Sequence, residues 1–179
     1  PYSILALGIK ELEFRDDFPP HLKWVGYRCL SFDKLPKEQE QYFTTSKKRV
    51  LVTCGTHLKW EKERMVKLAQ ILSQEHPDYH FYVTLGNPSG LQNPPHHLNN
   101  NLLLFDYLPY TDILDKMDFV IHHAGSGILM GCIEQGIPSL ILPQDFDQFD
   151  NALRAELAQV GLVSRKKTDS EVLDLFQAL

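Results

Sequence analysis

The chain has 179 residues, with 18 lysine and arginine residues against 23 aspartate and glutamate residues, and a formal net charge of -5. Its length fits one ordinary domain. The hydrophobic fraction of 43% and the charged fraction of 23% exclude the collagen-like, disordered and membrane-embedded classes. The net negative charge and the lack of a basic stripe exclude a general nucleic-acid-binding protein.

No apolar run approaches the roughly 18 to 20 residues that cross a bilayer, and no signal-peptide pattern is found. Cys29, Cys54 and Cys132 are odd in number and form no CxxC pair, which favours a reducing compartment over a disulfide framework. We therefore expect buried free cysteines, no direct membrane insertion and a cytoplasmic location.

Residues 1–48 follow no regular pattern. Pro19 and Pro20 interrupt them, and residues 34–48 are polar with little periodicity. We interpret residues 1–48 as an interdomain linker and loop region.

From residue 49 onward, short β-rich runs alternate with helical patterns, which is typical of βαβ units in a parallel sheet covered on both faces. The predicted strands are Arg49–Thr53, His80–Leu85, Leu102–Phe105, Phe119–His122, Ser139–Leu142 and Leu162–Ser164. The predicted helices are Glu61–Gln74, Tyr110–Lys116, Ile128–Gln135, Phe149–Gln159 and Ser170–Ala178, the last with an Asp-Ser cap. Residues 49–179 are thus predicted to be α/β: a Rossmann-like, doubly wound parallel sheet of about six strands.

The run from Phe119 to Met130 joins a buried strand to a small-residue loop and a helix. Gly125 and Gly127 let the backbone approach a ligand, and the N-terminal N–H groups of the helix attract an anion. The ring of His123 and the hydroxyl of Ser126 add further donors. This arrangement predicts a diphosphate site at the carboxyl end of the strand; the alternative is that the glycines only allow close helix-to-strand packing.

Asp147, Gln148 and Asn151 follow the next predicted strand and reach the same edge of the sheet. Carboxylate and amide groups side by side suit sugar hydroxyls, because each hydroxyl both donates and accepts. The residues therefore indicate a sugar site beside the diphosphate site.

Residues 119–152 resemble the UDP-glycosyltransferase superfamily of GT-B fold. The family's His-Gly-Gly-x-Gly-type loop is matched by His-Ala-Gly-Ser-Gly at residues 123–127, and its Gly-Val-Pro helix end by Gly-Ile-Pro at residues 136–138. Its Pro-x-x-x-Asp-Gln-x-x-Asn-Ala segment is matched at residues 143–152. Residues 50–56 resemble the first strand of the family's C-terminal domain with its Gly-Ser/Thr turn, and residues 105–109 resemble the segment against the base. Residues 18–26 resemble the approach to the interdomain linker. The resemblance implies the C-terminal half of a GT-B fold.

The resemblance also implies roles for individual residues. The donor diphosphate would contact His123, Gly125, Ser126, Gly127, Ile128, Gly55 and Thr56. The sugar would contact Asp147 and Gln148, and the base and ribose would contact Tyr107, Leu108, Pro109 and Glu134. Two departures from the family stand out: Gly131 replaces a common ribose-binding glutamate, so that Glu134 one turn on would substitute, and Tyr110 replaces a base-reading glutamine.

The implied function is donor binding in an inverting, metal-independent glycosyltransferase that transfers a hexosyl group from a UDP- or TDP-sugar to a hydroxyl acceptor. The base is expected on an N-terminal acceptor-binding domain or partner subunit, and a positioned base contributes a factor of about 10² to 10⁴. We therefore expect the chain alone to be inactive or weakly active, with the nucleotide sugar as a substrate and no cofactor or metal.

Three other interpretations remain open. Asp145 and Asp147 spell a D-x-D cation motif, and Gly125, Gly127 and Gly131 with Asp145 resemble an NAD(P)-binding oxidoreductase fingerprint. The chain could also be a natural donor-binding subunit of a split glycosyltransferase.

Paired histidines such as His122 and His123 point to opposite faces of a strand and do not chelate together, so His122 is expected to be a core residue.

Overall fold

A seven-stranded sheet forms the centre of the molecule in a computed structural model that describes residues 2–28, 33–166 and 168–178. The bounds of its strands are Lys48–Thr53 (β3), Tyr79–Thr84 (β4), His96–Asn99 (β5), Leu102–Phe105 (β6), Phe119–His122 (β7), Ser139–Ile141 (β8) and Gly161–Val163 (β9). The spatial order is β5-β6-β4-β3-β7-β8-β9. All neighbours are parallel except β5, which runs antiparallel to β6.

Helices cover both faces of this sheet. Their bounds are Lys37–Glu40 (α1), Lys62–Glu75 (α2), Tyr110–Ile113 (α3), Ser126–Gln135 (α4), Gln148–Leu157 (α5) and Asp169–Gln177 (α6), with 3-10 turns at Lys10–Leu12, Gln41–Phe43, Pro88–Gly90 and Leu114–Lys116. No helix among the described residues is both long and apolar enough to span a bilayer.

The alternation of side chains along β3 shows why both faces are covered. Val50 and Val52 pack in one apolar cluster with α2, whereas Leu51 packs in the cluster on the other face. Helix α2 contributes Met65, Leu68 and Leu72 at helical spacing, all buried. A period of two along the strand and of about 3.6 along the helix brings these apolar faces together.

The path of the chain creates a switch point in the sheet. From β3 the chain adds β4 and β6 on one side, then returns to β7 on the other side of β3 and continues to β8 and β9. At this point Thr53 of β3 pairs with His122 of β7. In open α/β sheets, ligands bind outside the carboxyl ends of the strands at such a switch point.

Residues before β3 are more structured than a plain linker. Strands Ile4–Ala6 (β1) and Leu22–Trp24 (β2) form a separate parallel pair. Arg154 of α5 holds this region through an ion pair with Glu13 and a position over the ring of Phe14. The ring of Phe43 stacks on that of Tyr82 in β4. The boundary at residue 48 stays a prediction.

The sequence-based elements differ from the structure in several details. The six predicted strands are present, but β5 is missing from the prediction because His96–Asn99 is a short, polar edge strand. Residues 34–48 contain α1, whose single turn is too short to produce a periodic pattern. Helix α6 is capped by Thr168, whose hydroxyl accepts from the N–H of Glu171, and not by the Asp-Ser pair.

Two of the three cysteines are buried and form no disulfide, as predicted. They are Cys54 and Cys132, and burial raises the pKa of the Cys54 thiol to about 11. Cys29 lies outside the described residues.

Candidate functional site

A cleft with a volume of about 540 Å³ lies at the switch point, beyond the carboxyl ends of β3 and β7. Two loops border it: residues 54–58 after β3, and residues 123–125 between β7 and α4. The start of α5 closes a third side. The described lining residues are Gly55, Thr56, His57, Leu58, Tyr110, His123, Gly125, Ser126, Gly127, Ile128, Phe146, Asp147 and Gln148.

The imidazole of His123 fills the space between the two loops. A Cβ built on Gly125 would lie 2.4 Å from Nε2 of His123, and one built on Gly55 would lie 2.8 Å from Cε1. Gly55 also has a φ of +71°, where a side chain is strained. Both glycines are therefore required for the ring to occupy this position.

The N-terminus of α4 presents unpaired backbone donors to the cleft. Gly125 is the N-cap residue, and the first helical bond runs from the N–H of Leu129 to the carbonyl of Gly125 at 3.0 Å. The N–H groups of residues 126–128 donate to no described residue, as expected at a helix start. Together with the helix dipole, they form a site for an anion.

Hydrogen bonds hold residues 123–125, which we call the glycine loop, in a strained conformation. Ala124 has a φ of 65°, which is unfavourable for a residue with a Cβ. Its N–H donates to Nδ1 of His122 at 3.0 Å, and its carbonyl accepts from Nδ2 of Asn151 at 3.0 Å. His122 is fully buried, which fits the expected core residue, and its ring supports the loop.

Burial keeps both histidines neutral at pH 7. It lowers the pKa of His122 to about 3, helped by the neighbouring His123. It also lowers the pKa of His123 to about 4, more than the Thr53 backbone and the Asp147 carboxylate raise it. A neutral imidazole carries one N–H, so uncharged His123 can donate one hydrogen bond, either to the Thr53 backbone or to a ligand.

The start of α5 brings the predicted sugar-binding residues to the cleft. Oε1 of Gln148 accepts from the N–H groups of Gln144 at 2.9 Å and Asp145 at 3.1 Å. Its Nε2 donates to no described residue. Nδ2 of Asn151 donates to Oδ2 of Asp147 at 3.0 Å. Asn151 thus ties the carboxylate of Asp147 to the glycine loop.

Two parts of the predicted site lie away from the cleft. Leu108 is buried in the apolar cluster under α3, and neither Tyr107 nor Pro109 lines the cleft; Tyr110 lines it instead. Glu134 is exposed near the end of α4, about 12 Å along the helix from Ser126 at 1.5 Å per residue, so the structure does not bring it to the diphosphate site.

Sequence reasoning missed several lining residues. His57 had no predicted role, and Leu58 and Phe146 were not singled out, although all three line the cleft. Gly86 packs closely against the backbone of Gly55, which lines the cleft. A Cβ on Gly86 would lie 2.4 Å from the carbonyl oxygen of Gly55. Their position in the sequence could have indicated a place near the cleft, because residues 57 and 86 each follow a predicted strand.

A second cavity of about 610 Å³ lies at the opposite edge of the sheet. It is lined by the starts of β8 and β9, at Ser139 and Gly161, and by the end of α4. Its described lining includes the helix-to-strand loop at Gly136 but no helix N-terminus after a strand, and it faces the amino ends of the strands. The cleft at the carboxyl ends is therefore the stronger candidate.

Metal-ligand geometry is not found among residues 2–28, 33–166 and 168–178, where no group of three or more His, Cys, Asp or Glu side chains could hold an ion. In the D-x-D segment, Asp145 accepts the N–H of Phe146 and Asp147 accepts from Asn151.

The family model for the erythromycin biosynthesis protein CIII-like C-terminal domain matches residues 83–175, more than half of the chain. The chain belongs to this family. It is a C-terminal GT-B domain of the UDP-glycosyltransferase superfamily. The matched residues of the EryCIII-like domain include β7, the glycine loop and the Asp147-Gln148 segment.

Relatives of this EryCIII-like domain are glycosyltransferases. UDP-glucuronosyltransferase 2A2 of Homo sapiens is 28% identical over 174 residues, covering 94% of this chain and 31% of the relative. UDP-glucuronosyltransferase 2A1 of Rattus norvegicus is 27% identical over 176 residues, covering 94% of this chain and 32% of the relative. The chain thus spans about a third of the length of the curated relatives it matches.

Solved glycosyltransferase structures share the fold of the EryCIII-like domain. Spinosyn rhamnosyltransferase SpnG complexed with thymidine diphosphate has a TM-score of 0.78 and 23% identity, covering 99% of this chain and 48% of that chain. Glycosyltransferase VinC in complex with DTDP has a TM-score of 0.74 and 19% identity, covering 98% of this chain and 43% of that chain.

Proposed function

We propose that the chain binds the nucleotide-sugar donor, a UDP- or TDP-sugar, in an inverting, metal-independent glycosyltransferase. The whole enzyme would transfer a hexosyl group to a hydroxyl acceptor. The base that deprotonates the acceptor would come from an N-terminal acceptor-binding domain or a partner subunit, so this chain alone would transfer little or no sugar. A natural donor-binding subunit is one form of the same proposal.

One observation carries this proposal: the ring of His123 lies between Gly55 and Gly125 beside the unpaired N–H groups that begin α4. These donors converge on one cleft at the switch point of the sheet. In a single displacement at the anomeric carbon, negative charge develops on the departing diphosphate. Preorganised N–H groups that face this charge stabilise the transition state.

The side chains at the start of α5 would hold the sugar beside the diphosphate. The carboxylate of Asp147 accepts hydrogen bonds, and Nε2 of Gln148 donates them. The solved SpnG and VinC complexes with thymidine diphosphate support a nucleoside diphosphate as the ligand of this fold.

Exposed apolar residues near the N-terminus support the proposed partner domain. Leu5, Leu7 and Val25 are exposed on or beside the β1–β2 pair. An isolated two-stranded sheet is at best marginally stable in water, so a further unit that packs on this pair would stabilise it. Cys54 and Cys132 are buried and form no disulfide, which supports a reducing, cytoplasmic compartment.

Two substitutions separate the structural role of Gln148 from its proposed sugar contact. Gln148→Ala removes the acceptor for two backbone N–H groups and should lower the free energy of unfolding by about 1 to 3 kcal/mol. Gln148→Glu keeps an oxygen acceptor but removes the Nε2 donor. The new carboxylate is buried beside Asp147, so this variant should also lose some stability. Its charge repels the diphosphate of either ligand, so the sugar contact is measured as the loss of UDP-hexose binding in excess of the loss of UDP binding. Urea denaturation and calorimetric titration measure the two effects, and an equal loss for both ligands would exclude the sugar contact.

Thermal unfolding with millimolar UDP, TDP, a UDP-hexose and NADPH tests the proposed function. A ligand at about 100 times its Kd adds about 2.7 kcal/mol, or a rise in Tm of about 5 to 10 °C for a domain of this size. We expect this shift with UDP or TDP and a smaller one in the His123→Ala variant. A shift with NADPH alone would refute donor binding and favour the oxidoreductase alternative.

A further inference from the structure

The cleft offers a diphosphate few positive charges. Its described lining residues include no lysine or arginine, and they include one carboxylate, that of Asp147. The N–H groups of residues 126–128 and the neutral ring of His123 supply donors from the α4 side. The facing loop, residues 54–58, lies on the opposite side of the cleft and can supply further donors to the diphosphate.

His57 is the side chain of that loop that suits this role. It lines the cleft and is exposed, and it lies close enough to His123 to lower the pKa of that ring. Its backbone is held in place, because Leu58 is buried and the N–H of Lys59 donates to the carbonyl of His57 at 2.9 Å. The imidazole therefore projects from a fixed turn beside the cleft.

A neighbouring hydroxyl can set the tautomer of His57. Oγ1 of Thr56 lies 3.1 Å from Nδ1 of His57. When the hydroxyl donates to Nδ1, the ring hydrogen of neutral His57 must be on Nε2. Nε2 makes no hydrogen bond with a described residue, so this N–H is available to a ligand.

We propose that His57 is a second imidazole ligand of the donor diphosphate, facing His123 across the cleft. Nε2–H of His57 donates to a phosphate oxygen, with Thr56 as the residue that positions the ring. This inference rests on the proposed donor-binding function and adds a residue to the same site. One such contact corresponds to about a fivefold change in affinity.

Calorimetric titration of the chain with UDP and with uridine tests the assignment. His57→Ala should weaken UDP binding about fivefold and leave uridine binding unchanged. His57→Gln should restore most of the affinity, since its amide nitrogen can replace Nε2–H. His96→Ala is the matched control, an exposed histidine on the edge strand β5, and should bind both ligands like the parent.

The outcomes separate this inference from the proposed function. If the parent chain binds no UDP, the donor-binding proposal itself fails. If the parent binds UDP and His57→Ala binds it equally well, only the role of His57 is refuted. An equal loss for UDP and uridine would indicate a nucleoside contact instead. Titrations with UDP-glucuronate and UDP-glucose cover one further outcome. A loss of affinity for UDP-glucuronate alone would indicate a contact with a sugar carboxylate. Either a nucleoside contact or a sugar-carboxylate contact would overturn the diphosphate assignment.

Discussion

Gly125→Ala is expected to weaken UDP binding about 10- to 100-fold, as for the loss of strong hydrogen bonds to an anion, while the chain remains folded. The new Cβ would lie 2.4 Å from Nε2 of His123, so the imidazole must leave its position between the two loops. The backbone itself tolerates alanine, because Gly125 has a φ of -60° and a ψ of 140°, which are allowed for any residue. Calorimetric titration with UDP gives the affinity, and thermal unfolding confirms that the variant is folded.

Gly127→Ala is the matched variant for the position of the ring. The nearest atom to its new Cβ is Oη of Tyr27 at 3.9 Å, an ordinary contact distance. The NMR signals of the His123 ring in the ligand-free chain should therefore move in Gly125→Ala and stay in place in Gly127→Ala. Unchanged ring signals and unchanged UDP affinity in Gly125→Ala would contradict the role given to this glycine.

Phe43→Ala should lower the free energy of unfolding by about 3 to 5 kcal/mol, the usual range for removing a buried phenylalanine. Phe43 is only 4% exposed. Its ring stacks on Tyr82 at 4.8 Å and on Phe105 at 5.8 Å between ring centroids. Residues before β3 thus contribute to the core of the sheet domain, and urea denaturation measures the effect.

Leu7→Ala is the control for this stability prediction. Leu7 is 82% exposed, and surface substitutions of this kind usually change stability by less than about 0.5 kcal/mol. If Phe43→Ala were as stable as Leu7→Ala, residues 33–48 would not be packed on the sheet as described.

The central sheet could be predicted from the sequence because its strands are apolar and regularly separated by helices. Val50 and Val52 lie in a short run rich in β-branched residues, which favours a strand. Gly136 ends α4 with a φ of 67°, as glycine after a helix predicts. Strand β5 could not be predicted, because a polar edge strand has no apolar pattern and depends on its pairing with β6.

The candidate site was predictable where a residue's role follows from its place after a strand. His123 and Gly125 follow β7, and the structure brings them to the cleft together with Gly55. The role of Asn151 in tying Asp147 to the glycine loop depends on the position of α5 in space, which no local pattern contains. The same holds for His57, which has the sequence pattern of a surface residue and is placed at the cleft only by its position in space opposite residues 123–125.

An NMR titration of the isotope-labelled chain with UDP tests the central claim most directly, because it locates the ligand without a substitution. Donor binding at the switch point predicts saturable shifts in the backbone amides of Gly55, Ser126, Gly127 and Ile128. It also predicts that Ser139 and Gly161, at the opposite edge of the sheet, do not shift. Shifts confined to those two residues, or none at millimolar UDP, would contradict a donor site in this cleft.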